Sequence, residues 1–348
     1  MEPQDQDALS PCSGEISVIG SEDSRIIEQE CMYRLEHYTA KDENDDTTLI
    51  LRAFLDNLPN DGLDLLLKDI KRCNDDNEIY QLARSLSQGV LLPMLTRSKT
   101  PATITPSPRL GFEGAIVEPS SRNEQRWLRR VCLERDGNRC VLTGLMDDKA
   151  APTGDDMVIV TECAHIIPFS LGHWQSESQQ HVKAQIWVNL NHFFPSLSQR
   201  IGFTQQSINE PRNAMTLALA LHPMFGRFTI ALEATNQQDV YTLKNYKPRQ
   251  AQTFLVRGIE KVKFENHNTP YAVPDPILLE THAIIARIVH ATGMAERVYQ
   301  LQWKKDDTGT LAANGSTDVE SLLSISSLPI LASRPLNSTR PSAEIGNF

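Results

Sequence analysis

Glu162-Cys163-Ala164-His165-Ile166-Ile167-Pro168 is the stretch on which the fold turns. The residues leading into it, Met157 to Glu162, are apolar on both faces and predict a buried strand. His165 then closes that strand, because Pro168 cannot donate to a ladder and ends it. A histidine at a strand end sits on a rigid element. A second stretch follows, Asn209-Glu210-Pro211-Arg212-Asn213-Ala214-Met215-Thr216-Leu217, and runs into Ala218 to Phe225 with His222 inside it. Asn213 stands nine residues before His222. That spacing suits a loop asparagine, a short strand and a helix bearing a histidine.

Working outward, Arg122 to Asp136 reads as a helix with Leu128, Val131 and Cys132 inward, and Arg139 to Thr143 as a short strand. Residues 227–233 and 240–246 pattern as a strand pair, and 274–291 as a helix opened by Pro274-Asp275-Pro276. Helix and strand are thus mixed over 122–305. Ahead of this region, 22–95 is helical throughout. Leu51, Phe54, Leu55 and Leu58 fall at i, i+3, i+4 and i+7, as do Leu63, Leu66, Leu67 and Ile70, and then Ile79, Leu82, Ala83 and Leu86. Pro59-Asn60-Asp61-Gly62 and Asn74-Asp75-Asp76-Asn77 separate these three faces. This helical module carries no catalytic constellation and suits docking to a protein partner or self-association. Residues 1–21 lack periodicity and read as disordered. The Pro-, Ser- and Thr-containing 96–121 reads as a linker, and the Ser-rich 306–348 as a mostly disordered tail.

The chain has 348 residues, 40% hydrophobic and 22% charged, which excludes both a wholly disordered protein and a membrane bundle. No apolar run approaches the roughly 20 residues that span a bilayer. The acidic start lacks a basic-then-apolar signal pattern, so an intracellular protein is expected, nuclear or cytoplasmic. Lys304-Lys305 is too short for a nuclear signal. The six cysteines have no paired zinc spacing and read as free thiols. The net charge of −10 is unevenly placed: 1–121 carries −11, 122–305 carries +4 and 306–348 carries −3. Only the middle region can tolerate a phosphate backbone.

Arg139-Cys140-Val141-Leu142-Thr143-Gly144, Ala164-His165-Ile166-Ile167-Pro168, Asn213-Ala214-Met215-Thr216-Leu217 and Leu221-His222-Pro223-Met224-Phe225-Gly226 together resemble the HNH nuclease family, and more closely its fungal-type HNH endonuclease domain. The resemblance covers roughly 122–305, about half of the chain. It implies an α+β fold with a ββα-metal (His-Me finger) core, two strands and a helix around one divalent ion. Residue by residue, it implies His165 as general base, Asn213 as the brace of the loop and His222 as metal ligand.

Two positions depart from the family pattern. Ala164 stands where many members carry a metal-binding acid or histidine, although the fungal subgroup shares the alanine. Gly226 stands where many carry aspartate. Glu162, two residues back on the same face of the strand as Ala164, is the candidate substitute ligand. Arg212 and Arg227 flank the motif and are candidates for phosphate binding.

The residue types match phosphodiester hydrolysis. A neutral imidazole can take a proton from water near neutral pH. A divalent ion polarises the phosphate and steadies the leaving oxygen. Availability favours Mg2+, and the oxygen and imidazole ligands also permit Mn2+ or Zn2+. The expected function is therefore a metal-dependent HNH endonuclease acting on nucleic acid, DNA before RNA by family analogy, with no membrane partner. The alternative is a catalytically inactive HNH-fold module that binds nucleic acid or protein. The sequence leaves one discriminating question: whether the Glu162 carboxylate reaches the same metal position as His222.

Overall fold

A computed structural model of the chain describes residues 19–95, 122–151, 157–174, 176–249 and 251–298. The linker 96–121, the tail 306–348 and residues 1–18 of the expected disordered start lie outside the described residues, whereas 19–21 open the first helix.

Five helical segments come first: α1 (Ile19–Glu36), α2 (Thr47–Leu55), α3 (Asn60–Arg72), α4 (Asp76–Leu86) and, after one π turn over Ser87–Leu91, α5 (Leu92–Leu95). Their boundaries have local causes. Pro59, in extended conformation, stands just ahead of α3. Asp75 caps α4 by accepting from Glu78 N at 2.9 Å, and the Glu78 carboxylate accepts in return from Asn74 N at 2.8 Å. The periodic apolar faces are buried, including Ile50, Phe54, Leu66, Ile70, Ile79 and Leu82.

The centre of the molecule is a short hairpin. After α6 (Arg122–Arg135) and a two-residue parallel pair, β1 (Met146–Asp147) with β2 (Val158–Ile159), comes β3 (Thr161–His165). An excursion through α7 (Glu177–Phe193) and α8 (Ser196–Gln199) then leads to β4 (Ala214–Ala218), antiparallel to β3, with Ala164 opposite Met215 and His165 opposite Ala214. A tight turn leads into α9 (His222–Gly226). This is a ββα-like arrangement. Cys163 packs with Leu128, Val131 and Cys132 of α6 on one face of the hairpin, and Glu162 reaches α9 on the other.

One buried ion pair ties α6 to the hairpin. Arg135 is wholly buried and all five of its N–H groups are used. Nε and one Nη2 hydrogen go to Asp136, Nη1 donates to the carbonyls of Pro211 and Ala272, and Nη2 also donates to that of Ala214 at 2.9 Å. Asp136 in turn accepts from Thr216 N at 2.8 Å. Gly137 follows at φ +65°, where an added Cβ would meet the His267 ring at 2.7 Å, so only glycine turns the chain here.

Beyond α9 lies an antiparallel sheet in the order β5 (Ile230–Ala234), β6 (Val240–Asn245), β7 (Lys261–Lys263), and α10 (Pro276–Ala291) packs on β5. Asp275 caps α10 through Ile277 N at 2.8 Å, with Pro276 at the first helical position. One hydrophobic cluster joins the front helices, α7, the α9 face of the hairpin and α10. Within it Phe54 meets Phe193 edge-on at 6.3 Å, and His192 of α7 contacts Asp69 of α3 at 2.7 Å. No helix among the described residues is long and apolar enough to cross a membrane.

Two local expectations differ from the structure. Arg139–Thr143 is a turn rather than a strand, because Cys140 N closes on Leu145 O and Gly144 N returns to Cys140 O; it is tied down by an Arg139–Met146 bridge and by Val141 N, which donates to Thr216 O of β4 at 3.0 Å. Residues 157–160 are largely exposed, Met157 by 76% and Val160 by 47%. Here β2 pairs only with the two-residue β1, so its apolar side chains find no second layer. Continuous apolarity signals a buried strand only where another layer covers it.

Candidate active site

The end of β3, the start of α9 and the outer side of α6 enclose a cavity of about 560 Å3. Glu162, His165 and His222 line it together with Gln125, Arg126 and Arg129 of α6. Met94 of α5 and His282 of α10 contribute to its wall.

Glu162 and His222 are in direct contact: the carboxylate Oε2 lies 2.5 Å from His222 Nδ1. Alternation along β3 sends Glu162 toward α9, and the three-residue turn Leu219–Leu221 after β4 brings the first residue of α9 beneath it. The side chains are 44% and 25% exposed, so the pair faces the cavity rather than the core. A carboxylate oxygen and an imidazole nitrogen are donor types that a divalent ion takes, but at 2.5 Å they share a proton, and holding an ion between them requires the two to part to about 3 Å and Nδ1 to give up that proton. Among the described residues no group of three or more His, Cys, Asp or Glu side chains could hold a metal. The remaining positions around an ion would fall to water and to substrate oxygens.

His165 is held by a relay absent from the sequence reading. Its Nε2 lies 3.1 Å from Asn209 Oδ1, and Asn209 Nδ2 donates to Glu124 Oε2 at 2.9 Å. A carboxylate only accepts, so the Asn209 amide must turn its NH2 to Glu124 and its oxygen to the ring. Nε2 therefore carries the proton, and Nδ1 is left as the acceptor of the neutral imidazole. Burial pushes the His165 imidazole down to about 4, with His222 acting in the same direction against the Asn209 hydrogen bond. The ring is neutral at neutral pH, which leaves Nδ1 its lone pair, and the same burial makes it a weaker base than a free imidazole.

Asn213 does not touch that ring. It is fully buried, and its Oδ1 accepts from Ile167 N at 2.8 Å while Nδ2 donates to Ile167 O at 3.0 Å and Ile208 O at 2.9 Å. Its own carbonyl accepts from Ile166 N at 2.8 Å. Asn213 thus staples the chain just past His165 to the loop before β4. That is the bracing geometry, and the orienting of the imidazole belongs to Asn209.

Arg212 and Arg227 are not brought into the cavity. Arg212 donates to Glu210 Oε2 at 2.5 Å and to Ile201 O at 2.7 Å, with Asp275 at 4.0 Å. Arg227 lies exposed just past the end of α9. The guanidiniums at the cavity come from α6, far upstream in sequence. The inward positions Leu128, Val131 and Cys132 already place Arg126, Arg129 and Arg130 on the opposite side of that helix, which is the signal that could have found them. Asn209 had no such signal beyond standing in the same quoted stretch as Asn213.

Residues 140–233 match the HNH endonuclease family. The chain contains an HNH-family domain. The match spans β3, the excursion through α7 and α8, β4 and α9, and ends in β5. It covers roughly a quarter of the chain and leaves α6, with Glu124, Arg126 and Arg129, outside it. No curated protein and no solved structure matches the chain. The HNH domain carries the expected pattern with alanine, fully buried against the core, at position 164. Glu162 supplies the carboxylate beside His222 instead.

Proposed function

We propose that the HNH domain is a metal-dependent endonuclease that hydrolyses phosphodiester bonds, with DNA before RNA as substrate and the fungal-type domain as its subgroup. The observation that carries this reading is the convergence of His165, Glu162 and His222 on one cavity inside the matched segment. His165 Nδ1 takes the proton of the attacking water, while Asn209 and Glu124 hold the ring so that this nitrogen keeps its lone pair. Glu162 and His222 are the protein donors for the divalent ion, Mg2+ by availability, with Mn2+ and Zn2+ compatible with the same donors. Bound there, the ion supplies charge neutralisation at the phosphoryl oxygens and at the departing oxygen. Asn213 ties the chain just past His165 to the loop before β4, so that the imidazole and the donor pair keep their places around the same cavity.

A second reading has its own support. Ala164, Gly226 and the lack of a third protein ligand among the described residues suit a module that binds nucleic acid without cutting it. Plasmid nicking in Mg2+ or Mn2+ separates the two. The expected result is nicking that EDTA abolishes and that falls roughly 10²–10⁴-fold in His165→Ala, the usual contribution of a general base. Folded protein that nicks in neither metal would favour the binding module. Nicking that survives His165→Ala would remove His165 from the chemistry.

A further inference from the structure

We propose that α6 holds the nucleic-acid backbone, with Arg126 and Arg129 binding phosphates of the strand presented to His165. The proposal rests on the nuclease reading of the cavity and extends it to a helix wholly outside the matched segment 140–233.

A polyanion needs positive charge where Glu162 already contributes a negative one. Among the described residues that line the cavity, the cationic side chains are Arg126 and Arg129, and the carboxylate is Glu162. The two arginines are one helical turn apart and share a face. They line the same cavity as His165 and the Glu162–His222 pair.

Their environments differ usefully. Arg129 is anchored: Nη2 donates to Thr161 O at 3.0 Å, and Asp147 lies 3.9 Å away, beyond hydrogen-bonding distance. A guanidinium has five N–H donors, so most of the Arg129 fork remains available, held in place by the first residue of β3. Arg126 is exposed and has no ion pair among the described residues.

Charge placement along the chain agrees. Residues 122–135 hold five arginines against two glutamates, a net +3, whereas the whole of 122–305 carries +4. Arg135 is neutralised internally by Asp136, which leaves four arginines against two glutamates on this helix, and of these Arg126 and Arg130 are exposed and Arg129 is half-buried. An exposed guanidinium beside an anchored one can take two oxygens of one phosphate or two successive phosphates.

The test is binding of the full chain in EDTA, where cleavage is stopped, to fluorescein-labelled duplex DNA of two unrelated sequences and to RNA of the same sequence. Anisotropy is followed across a KCl series. Arg126→Ala and Arg129→Ala are each expected to lower the slope of log affinity against log salt by about 0.9 on duplex DNA, equally for both sequences. Arg126→Glu is expected to weaken binding further, and Arg257→Ala, exposed and away from the cavity, to leave the slope unchanged. A loss on DNA alone or on RNA alone also supports the proposal and names the substrate. Because Arg129 also anchors β3, the exposed Arg126 carries the refutation: an unchanged slope in Arg126→Ala, or wild type that binds neither nucleic acid, overturns the proposal. Arg126-dependent binding by a protein that nicks in no metal leaves the proposal standing and removes the nuclease reading. Nicking by wild type with an unchanged slope in Arg126→Ala does the reverse.

Discussion

Asn213→Ala tests the link between the brace and the stability of the hairpin. The amide makes three hydrogen bonds to backbone groups of Ile167 and Ile208, both fully buried residues. Ile167 N–H can only donate and the two carbonyls can only accept, so one orientation of the amide serves all three. Alanine leaves one N–H and two carbonyls without partners in a dry region. A buried polar group left unpaired costs about 1–3 kcal/mol, so three should cost about 3–6 kcal/mol after partial relaxation. Typical domain stability is about 5–15 kcal/mol, and the variant should unfold at markedly lower urea.

Asn213→Asp sharpens the test. Its carboxylate can still accept from Ile167 N–H, but it faces two carbonyl oxygens with negative charge and no hydrogen. The folded protein therefore raises the pKa of this aspartate above its unfolded value of about 3.9. The variant should be at least as unstable as Asn213→Ala at neutral pH and should recover stability as acid protonates it. The assay is urea unfolding followed by far-UV circular dichroism at neutral and mildly acidic pH. A loss below about 1 kcal/mol in Asn213→Ala, less than a single unpaired buried group costs, would refute the reasoning, as would an Asn213→Asp protein as stable as wild type at neutral pH.

Four further outcomes are expected. His282, stacked on Phe225 at 3.8 Å, is pushed down to about 3 by burial, so the unfolded chain binds a proton that the folded one refuses. Stability should fall by about 1.4 kcal/mol per pH unit from this group as pH drops below about 6.5, and His282→Phe should remove that part of the acid slope in denaturant melts. Lys183 is buried and pushed down to about 8 by desolvation. Lys183→Met should therefore stabilise at neutral pH, by up to about 3 kcal/mol, and the gain should shrink between about pH 8 and 10.5 as the wild-type lysine loses its proton. Arg135→Met leaves Asp136 buried without its cation and should destabilise by about 3–5 kcal/mol, more than Arg135→Met combined with Asp136→Leu. Finally, Asn209→Ala should reduce nicking while leaving metal-free DNA binding intact, and an unaltered nicking rate would show that the relay to Glu124 does not position His165.

Much of the hairpin was legible in the sequence because it is local. Pro168 ends the strand, and nine residues from Asn213 to His222 leave room for one short strand and a turn. The front helices showed their apolar faces through spacing alone, and the same spacing put Leu128, Val131 and Cys132 inward on α6. The meeting of Glu162 with His222 could be posed as a question, since strand alternation sets the side from which the carboxylate projects, but the answer needed the turn geometry that places α9 beneath β3.

Residue identity and local spacing specify the histidines, the asparagine and the carboxylate that can serve as base, brace and ligands, and place them on a hairpin followed by a helix. Tertiary structure decided what surrounds them. Asn209 and Glu124 are 85 positions apart and meet at His165 only because α6 packs on the hairpin through the Arg135–Asp136 pair. The same packing brings Arg126 and Arg129 to the cavity, while Arg212, close to the motif in sequence, is turned to Glu210 and Ile201. The front helices likewise found their partner in α7, through Asp69 with His192 and Phe54 with Phe193. Periodicity reports which face of an element is buried and carries no information about what buries it, because the hydrophobic effect rewards removal of area from water regardless of which surface does the covering.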